Sequence, residues 1–308
     1  MTKQERSRIV VSMKRLTREK RAMILRCFTE GVGVNATARM ADVSKNTVLK
    51  FLADLGPVCC DFQAATLRDL HCKRIQVDEI WAFTGMKNKN VPAELKGTWG
   101  VGDTWTWIGI CADCRLVPAW LVAPRHTEAA KAFMDNLGSR LAHRVQLTSD
   151  GHAPYLEAVE HSFGADIDYA QLVKIFNLPE GSTETERKYS PGECCGTRTN
   201  VVCGNPDPRH IATSYSERFN LEVRTKNRRL TRLTNGFSRK VANLEHSMDV
   251  GFMVYNFVKV HGSLRVSPAM QAGVTDHLWS YDEVVALLEA VEDSAVEVAK
   301  RRKDRVSD

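Results

Sequence analysis

KRIQVDEIWAF, residues 73–83, is the stretch on which the fold turns. At Lys73 the apolar spacing changes from helical to strand-like, and the segment reads as a buried strand carrying Asp78. Downstream, TWTWIGICAD (104–113) and RLVPAWLVA (115–123) read as a hairpin turning near Asp113. Thr127 to Ala142 has the spacing of an amphipathic helix. RVQLTSDGHAPY (144–155) is a second apolar strand that ends at Asp150, with Gly151 opening the chain for a helix. IDYAQLVKIF (167–176) reads as a fifth strand.

Three strands, a helix, a strand, a helix and a further strand is the order of a ribonuclease-H-like α/β fold, a mixed sheet flanked by helices. In that order the first and fourth strands lie side by side, so Asp78 and Asp150 are expected in one pocket. Phosphoryl transfer on DNA asks for carboxylate oxygens around two hard cations, one at the attacking and one at the leaving oxygen. A third acid is expected from a later helix, and YSERFNLEVRTKNRRL (215–230) supplies Glu217 near its start. On a continuous helix Glu217, Leu221, Arg224 and Arg228 share a face, with Arg218, Asn220, Arg229 and Arg232 widening a basic surface toward DNA. Glu79 should point to the opposite sheet face by strand alternation and is a weaker ligand candidate. Glu184, Glu186 and Glu193 compete with Glu217, but none opens a basic helix. His152 and Tyr155 follow Asp150 closely enough to meet a phosphate, while Trp81, Trp99, Trp105, Trp107 and Trp120 read as packing.

Toward the N-terminus, residues 17–55 read as three short helices, capped by Thr17 and Ser44, with a turn at Asp42-Val43. This is a helix-turn-helix pattern whose third helix presents Lys45, Asn46, Thr47 and Lys50 to DNA. Charge agrees: of the net +6, residues 1–55 carry +7 and residues 209–265 carry +7, leaving −8 elsewhere. Two basic segments around an acidic middle suit a polyanion held at two places. The expected organisation is a DNA-binding domain over 1–56, a linker over 57–72 and a catalytic domain over 73–275. An insertion poor in periodicity falls around 176–212, and a C-terminal helix and tail occupy 276–308. Ser280 to Glu283 has the capping-box pattern for that last helix.

No secretory signal or membrane span is read, so a cytoplasmic, nucleoid-associated protein with reduced thiols is expected. Cys111 and Cys114 have zinc-knuckle spacing, but their place at a hairpin turn reads as a plain turn. Cys194, Cys195 and Cys203 lie in a Gly/Pro-rich stretch near His210, and a four-ligand zinc site would need two pairs brought together.

The segments NATARMADVSKNTVLKFLADLG (35–56), VDEIW (77–81), TSDGHAPY (148–155) and SERFNLEVRTKNRRLTRLTNGFSRK (216–240) resemble the DDE transposases of bacterial insertion sequences, of the insertion-sequence-1 type. The resemblance spans roughly residues 17–275. It implies catalytic and metal-binding roles for Asp78, Asp150 and Glu217, with two Mg²⁺ or Mn²⁺ ions. It further implies binding of terminal inverted repeats in double-stranded DNA, strand cleavage, and attack of the freed 3′-OH on target DNA. Joining two ends implies a homodimer or higher assembly. Some relatives carry a cysteine-paired zinc finger ahead of the helix-turn-helix, whereas the first cysteine here is Cys27. A catalytically silent DNA-binding regulator and a structure-specific nuclease of the same fold are the alternatives.

Overall fold

The computed structural model describes residues 15–177 and 193–307, with side chains to residue 298. Within them the chain forms two compact units.

One unit comprises Arg68–Trp81 and Thr104–Leu221 and is built on a six-stranded sheet. Its strands are β1 (Arg74–Thr84), β2 (Gly102–Cys111), β3 (Ala119–Ala123), β4 (Gln146–Ser149), β5 (Asp168–Asn177) and β6 (Glu193–Cys203), in the order β3-β2-β1-β4-β5-β6. β1 pairs with β4 and β4 with β5 in parallel, whereas β2–β3 and β5–β6 are antiparallel. The sheet is therefore mixed, with β1 and β4 adjacent, in keeping with a ribonuclease-H-like α/β fold. Two helices, α4 (Thr127–Gly138) and α5 (Pro154–Phe163), pack on one face. Trp107 on β2 meets Phe133 of α4 and Tyr155 of α5 at ring separations of 6.1 and 5.4 Å, and all three side chains are fully buried. β6 was not expected. It falls in the 176–212 stretch read as an insertion, of which residues 178–192, with Glu184 and Glu186, lie outside the described residues. The strand is mostly exposed, so it has no buried face to print an alternating pattern.

The other unit comprises the described residues of Met1–Leu67 together with Ala82–Asp103 and Glu222–Asp308. Three helices open it: α1 (Arg18–Thr29), α2 (Val34–Met40) and α3 (Lys45–Thr66). Thr17 and Ser44 cap α1 and α3 as expected, and Asp42 makes the turn at φ 50°. The third helix does not stop near residue 56. It runs through Pro57 to Thr66, so most of the stretch expected as a linker is helical. Its middle packs on α7 (Val241–Met253). Gln63 donates to the Asp249 carbonyl at 3.1 Å, and Arg21 of α1 forms a two-toothed ion pair with Glu292 of the last helix, α9 (Tyr281–Ser307). Before α9 the chain makes a one-turn helix, α8 (Pro268–Gln271). Ser280 and Glu283 close the expected capping box, each accepting the other's backbone N–H.

The α3–α7 crossing rests on Gly56. A Cβ there would lie 2.6 Å from His246 Cβ and 2.8 Å from its Cα, too close for any rotamer to relieve. Gly56→Ala should therefore destabilise the protein by about 1–3 kcal/mol in urea denaturation, although alanine is the better helix former. An unchanged midpoint would show that the two helices are not held at this distance.

Candidate active site

The pairing of β1 with β4 covers Arg74–Gln76 against Gln146–Thr148, and β4 ends at Ser149. β1 continues, so past this point a gap opens beside it. Asp78 stands at the gap on β1 and Asp150 follows directly after β4. Asp78, Glu79 and Asp150 each offer a carboxylate oxygen, all within 4.8 Å of one another.

Glu79 belongs to this cluster, against the expectation from strand alternation. Asp78 Oδ1 bends back to accept the Glu79 backbone N–H at 2.8 Å, which turns the Asp78 carboxylate along the strand edge instead of away from it. Glu79 is closed off from solvent, and its Oε1 has no hydrogen-bond partner. Its Oε2 lies 3.2 Å from Arg125, whose guanidinium also stands 4.0 Å from Asp150 and stacks over Trp105. Arg125 comes from the β3–α4 connection, and no local pattern pointed to it.

After β6 the chain enters α6 (Ser214–Lys226). Gln76 of β1 accepts the Tyr215 and Ser216 backbone N–H groups at 2.8 and 3.1 Å, so a strand side chain satisfies two of the donors a helix start leaves open. One turn on, Asn220 donates to Asp78 Oδ2 at 2.8 Å. Asn220, expected at DNA, thus holds a carboxylate. Glu217 lies on the same side and raises the Asp78 pKa through its charge, but it is outside the 4.8 Å cluster. Thr213 Oγ1 donates to it at 2.6 Å, and Lys174 of β5 is ion-paired with it.

The arginine face expected beyond Glu217 is interrupted. α6 ends at Lys226, so Arg228, Arg229 and Arg232 lie past the helix and the spacing that aligned Arg228 with Glu217 does not apply. Asn227 turns its amide to Ser247 at the exit, Arg224 donates to the Leu230 carbonyl, and Arg229 donates to Ser238. Burial lowers the Arg229 pKa to about 10, which leaves it a cation. Arg218, Arg228 and Arg232 are exposed. In α3, Lys45 and Asn46 are exposed, Thr47 turns its hydroxyl to Ser44 at 2.9 Å, and Lys50 pairs with Asp54. Tyr155 is fully buried against Trp107 and is core, not a phosphate contact. His152 donates its backbone N–H to Asp150 Oδ1 at 2.9 Å, and burial lowers its imidazole below the usual range.

Position 151 also has a steric reason to be glycine. A Cβ there would meet Val173 Cγ2 at 2.9 Å, so a side chain would push the residue carrying Asp150 away from β5.

Burial and then the charges of Asp150 and Glu217 raise Asp78 to about 6. Burial and then Asp150 raise Glu79 to about 7, with the Tyr155 hydroxyl and then Arg125 opposing. Acids packed this way are held at a cost unless positive charge joins them. Because Glu79 binds its proton more tightly when folded, its contribution to stability is complete below its ordinary value and lost as pH rises through about 7. Glu79→Gln should then be more stable than wild type at about pH 8 in EDTA, by on the order of 1–3 kcal/mol, with the difference gone near about pH 4. Urea denaturation at the two pH values checks this. A less stable variant at the higher pH would mean that Arg125 holds Glu79 ionised.

No protein-family model matches the chain, and no curated protein matches it. Among solved structures it is similar to a pre-cleavage Mos1 transpososome, at 12% identity over 51% of this chain and 60% of that one, with a TM-score of 0.22. Similar too are a Mos1 transposase paired-end complex with left transposon end (13%, 48% and 58%, TM-score 0.20) and the Mos1 strand transfer complex (11%, 79% and 79%, TM-score 0.22). The chain spans 60% of the length of the first of these. Likeness of this extent bears on neither activity nor partners.

Proposed function

We propose that the chain is a metal-dependent DNA-processing enzyme, a DDE transposase acting by phosphoryl transfer at the ends of a mobile element. The observation that carries the reading is the convergence of Asp78, Glu79 and Asp150 in the gap beside β1, with Glu217 brought over the same gap by α6.

The donor set fits a hard divalent cation such as Mg²⁺ or Mn²⁺. It consists of carboxylate oxygens, and Glu79 Oε1 is buried without a partner. Asp78 and Asp150 would hold the metal, with Glu217 as third ligand and Glu79 beside them. When bound, the cations supply charge neutralisation at the attacking and leaving oxygens of a phosphodiester. The remaining work belongs to side chains of this chain. Asn220 and the Glu79 N–H fix the Asp78 carboxylate in one rotamer. Arg125, pre-stacked on Trp105 beside Asp150, is placed to meet a phosphate oxygen. Lys174 is ion-paired with Glu217 and would be placed to meet the DNA backbone beside it. Terminal-repeat recognition falls to the exposed Lys45 and Asn46 at the start of α3, with Thr47 and Lys50 behind them, and Arg218, Arg224, Arg228 and Arg232 contribute backbone contacts. Strand transfer into target DNA and assembly of two or more copies on paired ends belong to the same reading.

The test is cleavage and strand transfer on a labelled duplex carrying the inverted repeats that flank the gene, with Mn²⁺, Mg²⁺ or EDTA. Asp78→Asn, Asp150→Asn and Glu217→Gln should each lower product by about 10²–10³-fold or more, the scale of losing one preorganised electrostatic contact, while DNA binding persists. Asn46→Ala should weaken binding to the repeats more than to random duplex. Specific binding by folded wild-type protein with no scission in either metal would refute the enzyme and leave a DNA-binding regulator. Equal cutting of unrelated branched DNA would make it a structure-specific nuclease.

A further inference from the structure

Cys111 ends β2 and Cys114 lies in the turn that leads to β3. This turn is more than a plain reversal. The Cys111 N–H donates to the Leu116 carbonyl at 2.8 Å, the Arg115 N–H returns to the Cys111 carbonyl at 2.9 Å, and Arg115 sits at φ 61°. The Ala112 N–H donates to the Arg74 carbonyl at 2.8 Å, which clamps the turn onto the start of β1. Two residues before Arg74 stands Cys72, and its thiol completes a group that the Cys111–Cys114 spacing alone does not reveal. The sulfur atoms of Cys72, Cys111 and Cys114 lie within 4.8 Å of one another, and all three residues are buried.

We propose that Cys72, Cys111 and Cys114 bind one zinc ion as thiolates, with the fourth coordination position filled from outside the cluster. Zinc–sulfur bonds of about 2.3 Å in a tetrahedron set sulfur atoms roughly 3.8 Å apart, so the three need only small movements to close on an ion. The turn is also preformed for a ligand. Its backbone bonds hold Cys111 and Cys114 together, and the Ala112 N–H bond to Arg74 brings the start of β1, with Cys72, against them. Buried sulfurs so placed have little water to meet as a partner. A disulfide would satisfy two of the three sulfurs and strand the third, whereas one cation satisfies all three. Three thiolates and one zinc ion make a complex of charge −1, with the thiol protons released to solvent on binding, and Arg74, held by Asp113 and His210, stands beside it. The ion would cross-link the entry of β1 to the β2–β3 turn. Cys194 and Cys195 are exposed and take no part.

The test uses the full chain purified without added metal. Wild type should carry about one zinc per chain by elemental analysis, and Cys72→Ser, Cys111→Ser and Cys114→Ser should each lower it several-fold, with Cys203→Ser unchanged. Replacement by Co²⁺ in wild type, which needs no folded variant, should give visible bands of a tetrahedral site and an ultraviolet sulfur-to-cobalt transition with the intensity of three thiolates. The sulfur transition separates this site from cation binding at the carboxylates, which have no sulfur, so its outcome is independent of the enzyme reading. A folded wild type with no zinc and no sulfur-to-cobalt transition, or one isolated under reducing conditions with a disulfide among the three, overturns the proposal.

Discussion

Three residues of parallel pairing, Arg74–Gln76 against Gln146–Thr148, set the position of the carboxylate cluster. Because β4 ends one residue later while β1 runs on, backbone hydrogen bonding stops where the carboxylates begin, and the space a continuing ladder would fill is left to side chains. Gln76, the last paired residue of β1, takes the first N–H groups of α6 on its side-chain oxygen. The same short stretch therefore aligns Asp78 with Asp150 and fixes the start of the helix that carries Glu217 and Asn220. A slip of one residue between β1 and β4 would turn Gln76 and Asp78 to the other face and disconnect the helix from the acids.

The carboxylates are also in conflict. Asp78 and Glu79 are raised by burial and by neighbouring acids, Glu79 Oε1 lacks a partner, and Arg125 is shared between Glu79 and Asp150 without a close contact to the latter. Structural ion pairs normally end in satisfied geometry, because an unmet buried polar atom costs on the order of 1–3 kcal/mol. Leaving such groups unmet around a buried Glu79, with Asp150 and Glu217 open to solvent beside it, is the pattern of a site suited to added positive charge.

Much of this was legible in the chain. The change of spacing at Lys73, the strand ending at Asp150, the caps at Thr17 and Ser44 and the Ser280–Glu283 box are local signals, each set by residues within a few positions of one another. The failures were of range or of burial. β6 exposes nearly all its side chains and has no core face to read. α6 was extended through Arg228 because helical spacing shows no end where Asn227 finds its partner at Ser247, twenty residues on. Strand alternation makes Glu79 the weaker ligand candidate, a rule for paired strands that weakens where pairing on one side has stopped. Arg125 and Cys72 reach their sites through tertiary hydrogen bonding and packing, and nothing near them in the sequence marks them.

The two donor clusters differ in chemistry and share a strand. Cys72 lies just before β1 and Asp78 lies on it, so the thiols grip the strand near its start and the carboxylates gather where its pairing with β4 has ended. Thiolates favour zinc strongly, whereas carboxylates suit magnesium or manganese, which bind more weakly by the general order of divalent affinities. On the two proposals above, the buried thiols would take zinc as a cross-link, and the half-exposed Asp150 and Glu217 would take a harder, exchangeable ion. On those proposals the soft cluster would hold β1 near its start, and the hard cluster would act where its pairing with β4 has ended.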